Sequence, residues 1–352
     1  MSETSYVRLH WKAILNIITL TALIILILLL RNEITATIKN LTQVHAWALI
    51  LLIPLELWNY DSQTRMYRSL FTLVGNQMNY RFLFGVSLEL NFVNNIFPSG
   101  GISGISYFAA RMRSSDNQIT GGKATVVQTM KLMLTFLSFE LLLILGLIFM
   151  AVGGHVNDLT ILVATTISTL LVIGTIAFVF IIGSMSRINA TLAFATKTLN
   201  RLIHLVRPNH PETIRMDQVR RTVEELHSNY GLIKDNYKQL KKPFLFALFA
   251  NLSEVLAVYV IYIAFGHWVN IGSIILAYAV ANFAGLISVL PGGIGVYEAL
   301  MTAVLAAAGI PASLSIPVVV MYRILNTLIQ LPPGYYFYHR TIHGKGQQNA
   351  QP

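Results

Sequence analysis

Apolar residues run in nine long stretches along this chain, at roughly 13–30, 44–64, 81–97, 124–151, 160–183, 243–265, 272–290, 294–308 and 315–338. Most approach or exceed the roughly 17–25 residues that carry a helix across a bilayer. Short polar linkers separate them, with one long polar segment at 184–242. The pattern predicts an all-α polytopic membrane protein.

Two of the apolar regions are interrupted in the same way. Pro98-Ser99-Gly100-Gly101-Ile102-Ser103-Gly104 breaks the first half and Pro291-Gly292-Gly293-Ile294-Gly295 breaks the second. In lipid every backbone N–H and C=O needs a partner, so a broken helix survives only where it is buried in protein or lines a watery cavity. Paired breaks at corresponding places in two halves are the best sequence pointer to a transporter's binding site.

Basic charge sorts the linkers. Arg8 and Lys12 precede the first run, Arg65 and Arg68 follow the second, and Arg111, Arg113 and Lys123 precede the fourth. The 184–242 segment holds eleven Lys/Arg against five Asp/Glu, and Arg340 and Lys345 close the chain. The linkers 152–159, 266–271 and 309–314 hold no Lys or Arg. Basic loops stay inside, so both termini, 65–80, 111–123 and 184–242 are expected in the cytoplasm. Each glycine break then belongs to an in-and-back hairpin, one entering from each side. That predicts an inverted repeat with two glycine-broken hairpins, re-entrant or fully spanning.

The domain organisation follows. A first membrane half (1–183) carries a hairpin at 81–110, and a second (243–340) carries one at 272–308. Between them, 184–242 reads as a cytoplasmic basic amphipathic helical linker, with Ile188, Leu192, Ala195, Leu199, Leu202 and Val206 at helical spacing. Residues 341–352 are expected to be a disordered tail. The first apolar run is too long for a signal-peptide core and ends in Arg31-Asn32-Glu33 without a small-x-small pattern, so it reads as an uncleaved span.

Composition adds little to this and removes much. The 352 residues are 55% hydrophobic and 11% charged, with a mean hydropathy of +0.61. Soluble domains carry about 25% charged residues. The net charge of +10 reflects cytoplasmic loops and does not call for nucleic acid. Without cysteine, disulfides and thiolate metal sites are excluded. There is no GxxxxGK[ST] phosphate loop and no Asp-x-Asp pattern, and His339 and His343 stand in a basic tail. No catalytic residue set, metal site or cofactor is expected.

The polar residues that remain are spaced for single helix faces. Glu89, Asn91, Asn94 and Asn95 precede the first break; Asn282 and Ser288 precede the second, and Glu298 follows it. Glu56, Asn59, Tyr60 and Gln63 form one stripe, Gln128, Lys131, Thr135 and Ser138 another. Asn251 and Glu254 lie mid-span, and Arg323, Asn326 and Gln330 line the last span. Free N–H groups at Ser103–Ile105 and Ile294–Val296 suit phosphate or carboxylate, or else the glycines only let helices cross closely. Glu298 either satisfies a helix dipole or takes a proton or cation. Glu254 and Arg323 form an internal pair, or Arg323 meets a lipid phosphate. The candidate substrate-binding set is Asn91, Asn95, Ser99, Gly100, Gly101, Ser103, Gly104, Glu254, Pro291, Gly292, Gly293, Gly295, Glu298, Arg323 and Asn326.

Asn95-Ile96-Phe97-Pro98-Ser99-Gly100-Gly101-Ile102-Ser103-Gly104 and Leu290-Pro291-Gly292-Gly293-Ile294-Gly295-Val296-Tyr297-Glu298 resemble motifs of a known family. This is the flippase-like integral membrane family related to the transmembrane domain of lysylphosphatidylglycerol synthases, and the likeness covers about residues 10–340. Many relatives carry an acidic residue and an arginine just after the first motif, where this chain has Ser103-Gly104-Ile105-Ser106 with Arg111 further on. The resemblance implies movement of phospholipids or polyprenyl-linked sugars between leaflets of a bacterial inner membrane. It also implies membrane lipids as partners and leaves room for a homo-oligomer or envelope-biosynthesis enzymes. The alternative is a membrane enzyme or accessory subunit acting on lipid-linked substrates in envelope glycolipid synthesis.

Overall fold

The computed structural model describes residues 31–41, 44–96, 102–113, 119–152, 158–184, 237–287 and 295–348, with a few isolated positions between. Most of the first apolar run, most of the 184–242 linker and both motif loops (97–101 and 288–294) lie outside the described residues. Among the described residues every regular element is helical. They are α1 (Arg31–Leu41), α2 (Ala46–Leu49), α3 (Leu52–Leu73), α4 (Tyr80–Ile96), α5 (Ile102–Arg113), α6 (Gly121–Val152) and α7 (Asp158–Ile182). After a 3-10 turn at Tyr237–Leu240 come α8 (Lys241–Ala264), α9 (Ile271–Ile287), α10 (Val296–Ala307) and α11 (Ala312–Gln348). Among the described residues three stretches are long and apolar enough to cross a membrane: Gly121–Val152, Lys238–Ala264 and Ala312–Ile342.

Polarity is distributed as a bilayer demands. Ile53, Leu57, Ile148, Phe149, Ile176 and Leu328 face outward, while Glu56, Asn59, Glu89, Asn251, Ser253 and Gln330 are buried. Lipid accepts the first set without cost, and the second set needs partners inside the bundle. The protein is a multi-pass all-α membrane protein.

Its helices form two matching series. The lengths of α3 to α6 are 22, 17, 12 and 32 residues; those of α8 to α11 are 24, 17, 12 and 37. One sequence spacing separates Gly75 from Gly266, Tyr80 from Ile271 and Gly121 from Ala312. Gly75 (φ +82°) and Gly266 (φ +78°) close α3 and α8 identically. The N–H of Asn76 donates to Phe71 O at 2.9 Å, and that of His267 to Tyr262 O at 3.0 Å. Both are left-handed glycine caps with the six-to-one hydrogen bond.

Packing is reciprocal between the halves. α4 lies on α11, and α9 lies on α6. Small residues let the backbones approach in both places: Gly334 sits under Leu88 and Phe92, and Gly146 sits against Gly272 and Ile275. The equivalent helices α3 and α8 touch directly and run antiparallel. His45, just before α2, donates its N–H to Ala264 O at the end of α8 (2.8 Å), while Asn59 in mid-α3 reaches Ala250 O (2.9 Å). A two-fold that sets equivalent helices antiparallel has its axis across them, so in a bilayer it lies in the membrane plane. The halves are an inverted repeat.

The short arms α5 and α10 are 12 residues each. At 1.5 Å per residue they reach about 18 Å, well short of the ~30 Å hydrocarbon core. Each therefore goes part-way and packs on its longer partner, α5 on α4 and α10 on α9.

Several boundaries differ from the sequence expectation. α3 does not stop before Arg65 but continues to Leu73, because Met66, Tyr67, Leu70 and Phe71 form a buried stripe opposite exposed Arg65 and Arg68. Arg111 and Arg113 lie in α5 and not in a loop. Arg31-Asn32-Glu33 does not end helicity, since α1 begins there. The tail expected from 341 is helical to Gln348, where α11 ends.

Candidate functional site

The polar stripes of four helices meet in one continuous seam at the α3–α8 contact. At one end Lys131 Nζ (α6) donates to Gln63 Oε1 (α3) at 3.1 Å and stands 4.9 Å from the centre of the Tyr67 ring. Gln63 Nε2 donates to Asn59 Oδ1 at 2.5 Å, and Asn59 Nδ2 donates to Ser253 Oγ at 3.1 Å as well as to Ala250 O. One residue on from Ser253, Glu254 accepts from the Tyr322 hydroxyl and from Asn326 Nδ2 (3.4 Å). Asn326 Oδ1 takes Gln330 Nε2 at 2.9 Å, and the same Nε2 reaches Glu56 Oε2 at 3.1 Å. The chain runs from α6 through α3 and α8 to α11 and back to α3.

The two-fold relation passes through this seam. The spacing that relates the halves also relates Gln63 to Glu254 and Lys131 to Tyr322. Lys131–Gln63 and Tyr322–Glu254 are thus the same contact in opposite orientations. One end carries a cation and the other a carboxylate.

The second hairpin borders the carboxylate end. Gly295 has φ +84°, a conformation that favours glycine, and it caps α10. Glu298 reaches back: its Oε2 accepts the Gly295 N–H at 2.7 Å and its Oε1 accepts Arg323 Nε at 3.0 Å. Arg323 also lies over the Tyr297 ring at 4.7 Å. Arg323 thus pairs with Glu298, the partner the sequence did not single out for it. The Gly295 N–H, expected to be free for ligand, is held by an internal carboxylate.

The first hairpin is fastened by a different ion pair. Glu89 on α4 accepts from Arg111 Nε (3.0 Å) and Tyr107 Oη (2.7 Å) on α5, and from Thr341 Oγ1 (2.7 Å) on α11. The acid and the arginine of this pair thus stand on opposite arms of the hairpin. Glu89 was legible only as a polar residue before the break; the signal was its spacing from Arg111 across a hairpin.

The candidate set divides accordingly. Glu254 and Asn326 stand in the seam, and Gly295, Glu298 and Arg323 stand beside it. Asn91 Nδ2 donates to the hydroxyl of Tyr60 at 3.1 Å, one helical turn from Glu56 on α3. Asn95 turns onto its own helix at Asn91 O (2.9 Å). Gly104 packs against the Asn94 side chain, which a methyl group there would displace. Ser99, Gly100, Gly101, Pro291, Gly292 and Gly293 lie outside the described residues, as does the side chain of Ser103. Glu56, Asn59, Gln63, Lys131 and Gln330 belong to the seam although only their stripes were recognised. Among the described residues no group of three or more His, Cys, Asp or Glu is arranged to hold a metal ion.

Comparison with known proteins agrees with this architecture. A family model described as the lysylphosphatidylglycerol synthase TM region matches residues 14–334. A "UPF0104 membrane protein" of Methanothermobacter thermautotrophicus is 31% identical over 91 residues, 26% of this chain. The matched stretch spans about a quarter (27%) of that relative's length.

Proposed function

Because the chain belongs to the lysylphosphatidylglycerol synthase TM-region family, we propose that it is a lipid translocator. It moves a polar or anionic lipid, a phospholipid or a polyprenyl-phosphate-linked sugar, across a bacterial cytoplasmic membrane, with both termini in the cytoplasm. The observation that carries this reading is the seam: a buried line of amides, hydroxyls and charges that crosses the contact between inverted halves. A charged head group in bare hydrocarbon is costly, and hydrogen-bonding side chains along a path offset that cost. The acyl chains stay in lipid, against the outward-facing apolar residues.

The hairpins supply the ends. Arg323 and the Gly295 N–H already hold one anion, the Glu298 carboxylate, and a lipid phosphate offers the same acceptor chemistry. At the opposite end Lys131 presents a cation to the seam from the pseudo-equivalent position. A phosphate entering from either leaflet therefore meets a positive group before it reaches the two carboxylates.

The test is reconstitution into vesicles that carry a head-group-labelled lipid, with an impermeant quencher outside. Labelled anionic phospholipid and polyprenyl phosphate are tried in parallel. Exchange above that of protein-free vesicles for at least one lipid supports the reading. Exchange equal to protein-free vesicles across the whole panel overturns it.

A further inference from the structure

Glu56 and Glu254 come from the two helices that the two-fold relates, and they lie at one level. Asn59 of α3 contacts Ala250 and Ser253 of α8. The helices are antiparallel, so three residues back along α3 brings Glu56 level with the Ser253–Glu254 turn. The amides of Gln330 and Asn326 bridge the two carboxyl groups, each donating toward one of them. Glu56 is 4% exposed.

The charges around the pair are placed as follows. From α3 comes Tyr60, from α9 Tyr278, from α10 Tyr297 and Glu298, and from α11 Tyr322 and Arg323. α6 contributes Lys131, at the far end behind Gln63 and Asn59, and also carries Glu140. α4 contributes Glu89, which is fastened to Arg111. Arg323 and Glu298 offset each other, as do Arg111 and Glu89. Among the described residues, the seam and its border then hold two cations, Lys131 and Arg323, against three carboxyl groups, Glu56, Glu254 and Glu298. Two buried carboxylates served by neutral amides and a phenol are costly, and one added positive charge makes the seam neutral.

A second observation points to a small ligand here. Tyr297 is buried, at 4% exposure, and its hydroxyl lies beside that of Tyr322 without a well-formed hydrogen bond. Its ring stacks on that of Tyr322, whose own hydroxyl holds Glu254. A buried phenol near Glu254 whose hydroxyl makes no well-formed hydrogen bond can take one up when its neighbour changes state.

We propose that Glu56 and Glu254 together bind one proton, and that this proton is the ion coupled to head-group movement along the seam. The coupling half of the statement rests on the translocator reading; the proton site does not. Deprotonation leaves the pair anionic, so the side chains must separate or recruit a new donor, and the Tyr297 hydroxyl, beside the Tyr322 that holds Glu254, is placed to become one. Moving the charge on or off the α3–α8 contact thus changes the very interface on which the halves meet.

Infrared difference spectroscopy on the purified full-length protein in lipid nanodiscs tests the site without any lipid movement. The expected result is a protonated-carboxyl stretch that shifts in heavy water and disappears as pH rises. It should be lost in E56Q and E254Q and kept in E140Q and E89Q. Either E56Q or E254Q, whichever folds, makes the assignment, and the wild-type titration stands if both fail to fold. A band that is absent from wild type at every pH, or that vanishes only in E140Q, overturns the site. A band abolished by sodium chloride at constant pH, where potassium chloride has no effect, also overturns it in favour of a sodium ion. In vesicles, a pH gradient should alter wild-type exchange and leave E254Q exchange unaltered. Exchange indifferent to the gradient in wild type overturns coupling alone, whereas absent exchange with an intact band overturns translocation and leaves the proton site standing.

Discussion

The ion pair that fastens the first hairpin makes a quantitative prediction. Arg111 Nε lies 3.0 Å from Glu89 Oε2, with side-chain exposures of 17% and 2%. At an effective dielectric of about 20, unit charges at 3 Å attract by roughly 5–6 kcal/mol, most of which desolvation offsets. Removing one partner is different, because the other keeps its desolvation cost and loses this attraction. Glu89→Leu removes the carboxylate that accepts from the guanidinium and from the hydroxyls of Tyr107 and Thr341. Arg111→Met leaves a buried carboxylate. Each single change should cost about 3–5 kcal/mol. The double change E89L/R111M removes both charges and leaves only two hydroxyls to repair, so it should cost about 1–3 kcal/mol. The double variant should be more stable than either single one, with a coupling energy of at least about 3 kcal/mol. Unfolding midpoints of the four purified proteins, from denaturant titration in one detergent, measure this. A double variant that loses as much as the two single losses added together would refute the reasoning.

Three further outcomes follow from other parts of the fold. A methyl at Gly334 would lie 2.7 Å from Phe92 Cβ and 2.8 Å from Leu88 O, and the carbonyl cannot yield. Gly334→Ala should therefore destabilise the protein by about 1–3 kcal/mol in the same titration; no change would show that α4 and α11 are not in close contact. Gly295→Ala forces a Cβ into the left-handed region and should cost about 1–2 kcal/mol, with Gly295→Asn costing less; equal losses would mean that backbone strain is not the cause. The chain has no cysteine, so single cysteines can be placed at exposed Gln77 and Trp268. An impermeant maleimide should label Gln77→Cys only from the cytoplasmic face and Trp268→Cys only from the other, and labelling from one common face would reverse the inverted arrangement.

The apolar runs and the two glycine breaks made both hairpins visible in the sequence, because helix periodicity and breaker residues are local signals. The stripes of Glu56, Asn59 and Gln63 on α3 and of Asn326 and Gln330 on α11 were local too. Their meeting was not. A stripe tells which face is polar, but the level at which two helices cross depends on where close packing occurs, here at Gly146–Gly272 and under Gly334. For that reason Arg323 was matched with Glu254 on depth alone, whereas the capping geometry at Gly295 brings Glu298 to it. Lys131 was legible only as one member of a polar stripe. It points inward to Gln63 because Tyr67 offers its ring and α3 continues past Arg65 to bring both residues alongside. Basic loop residues misled at Arg111, whose charge serves Glu89 inside the hairpin.

The central claim is that a head group travels along the seam between the inverted halves, and locking that seam tests it most directly. Asn59 and Ser253 touch across it, with 3.1 Å between Nδ2 and Oγ, and the cysteine-free background makes N59C/S253C a clean pair. The measurement is leaflet exchange of labelled lipid by this double variant in vesicles, before and after oxidation and again after reduction. The account predicts exchange when reduced, a fall to the protein-free rate once the disulfide forms, and recovery with reductant. Exchange that continues undiminished with the seam cross-linked would contradict it.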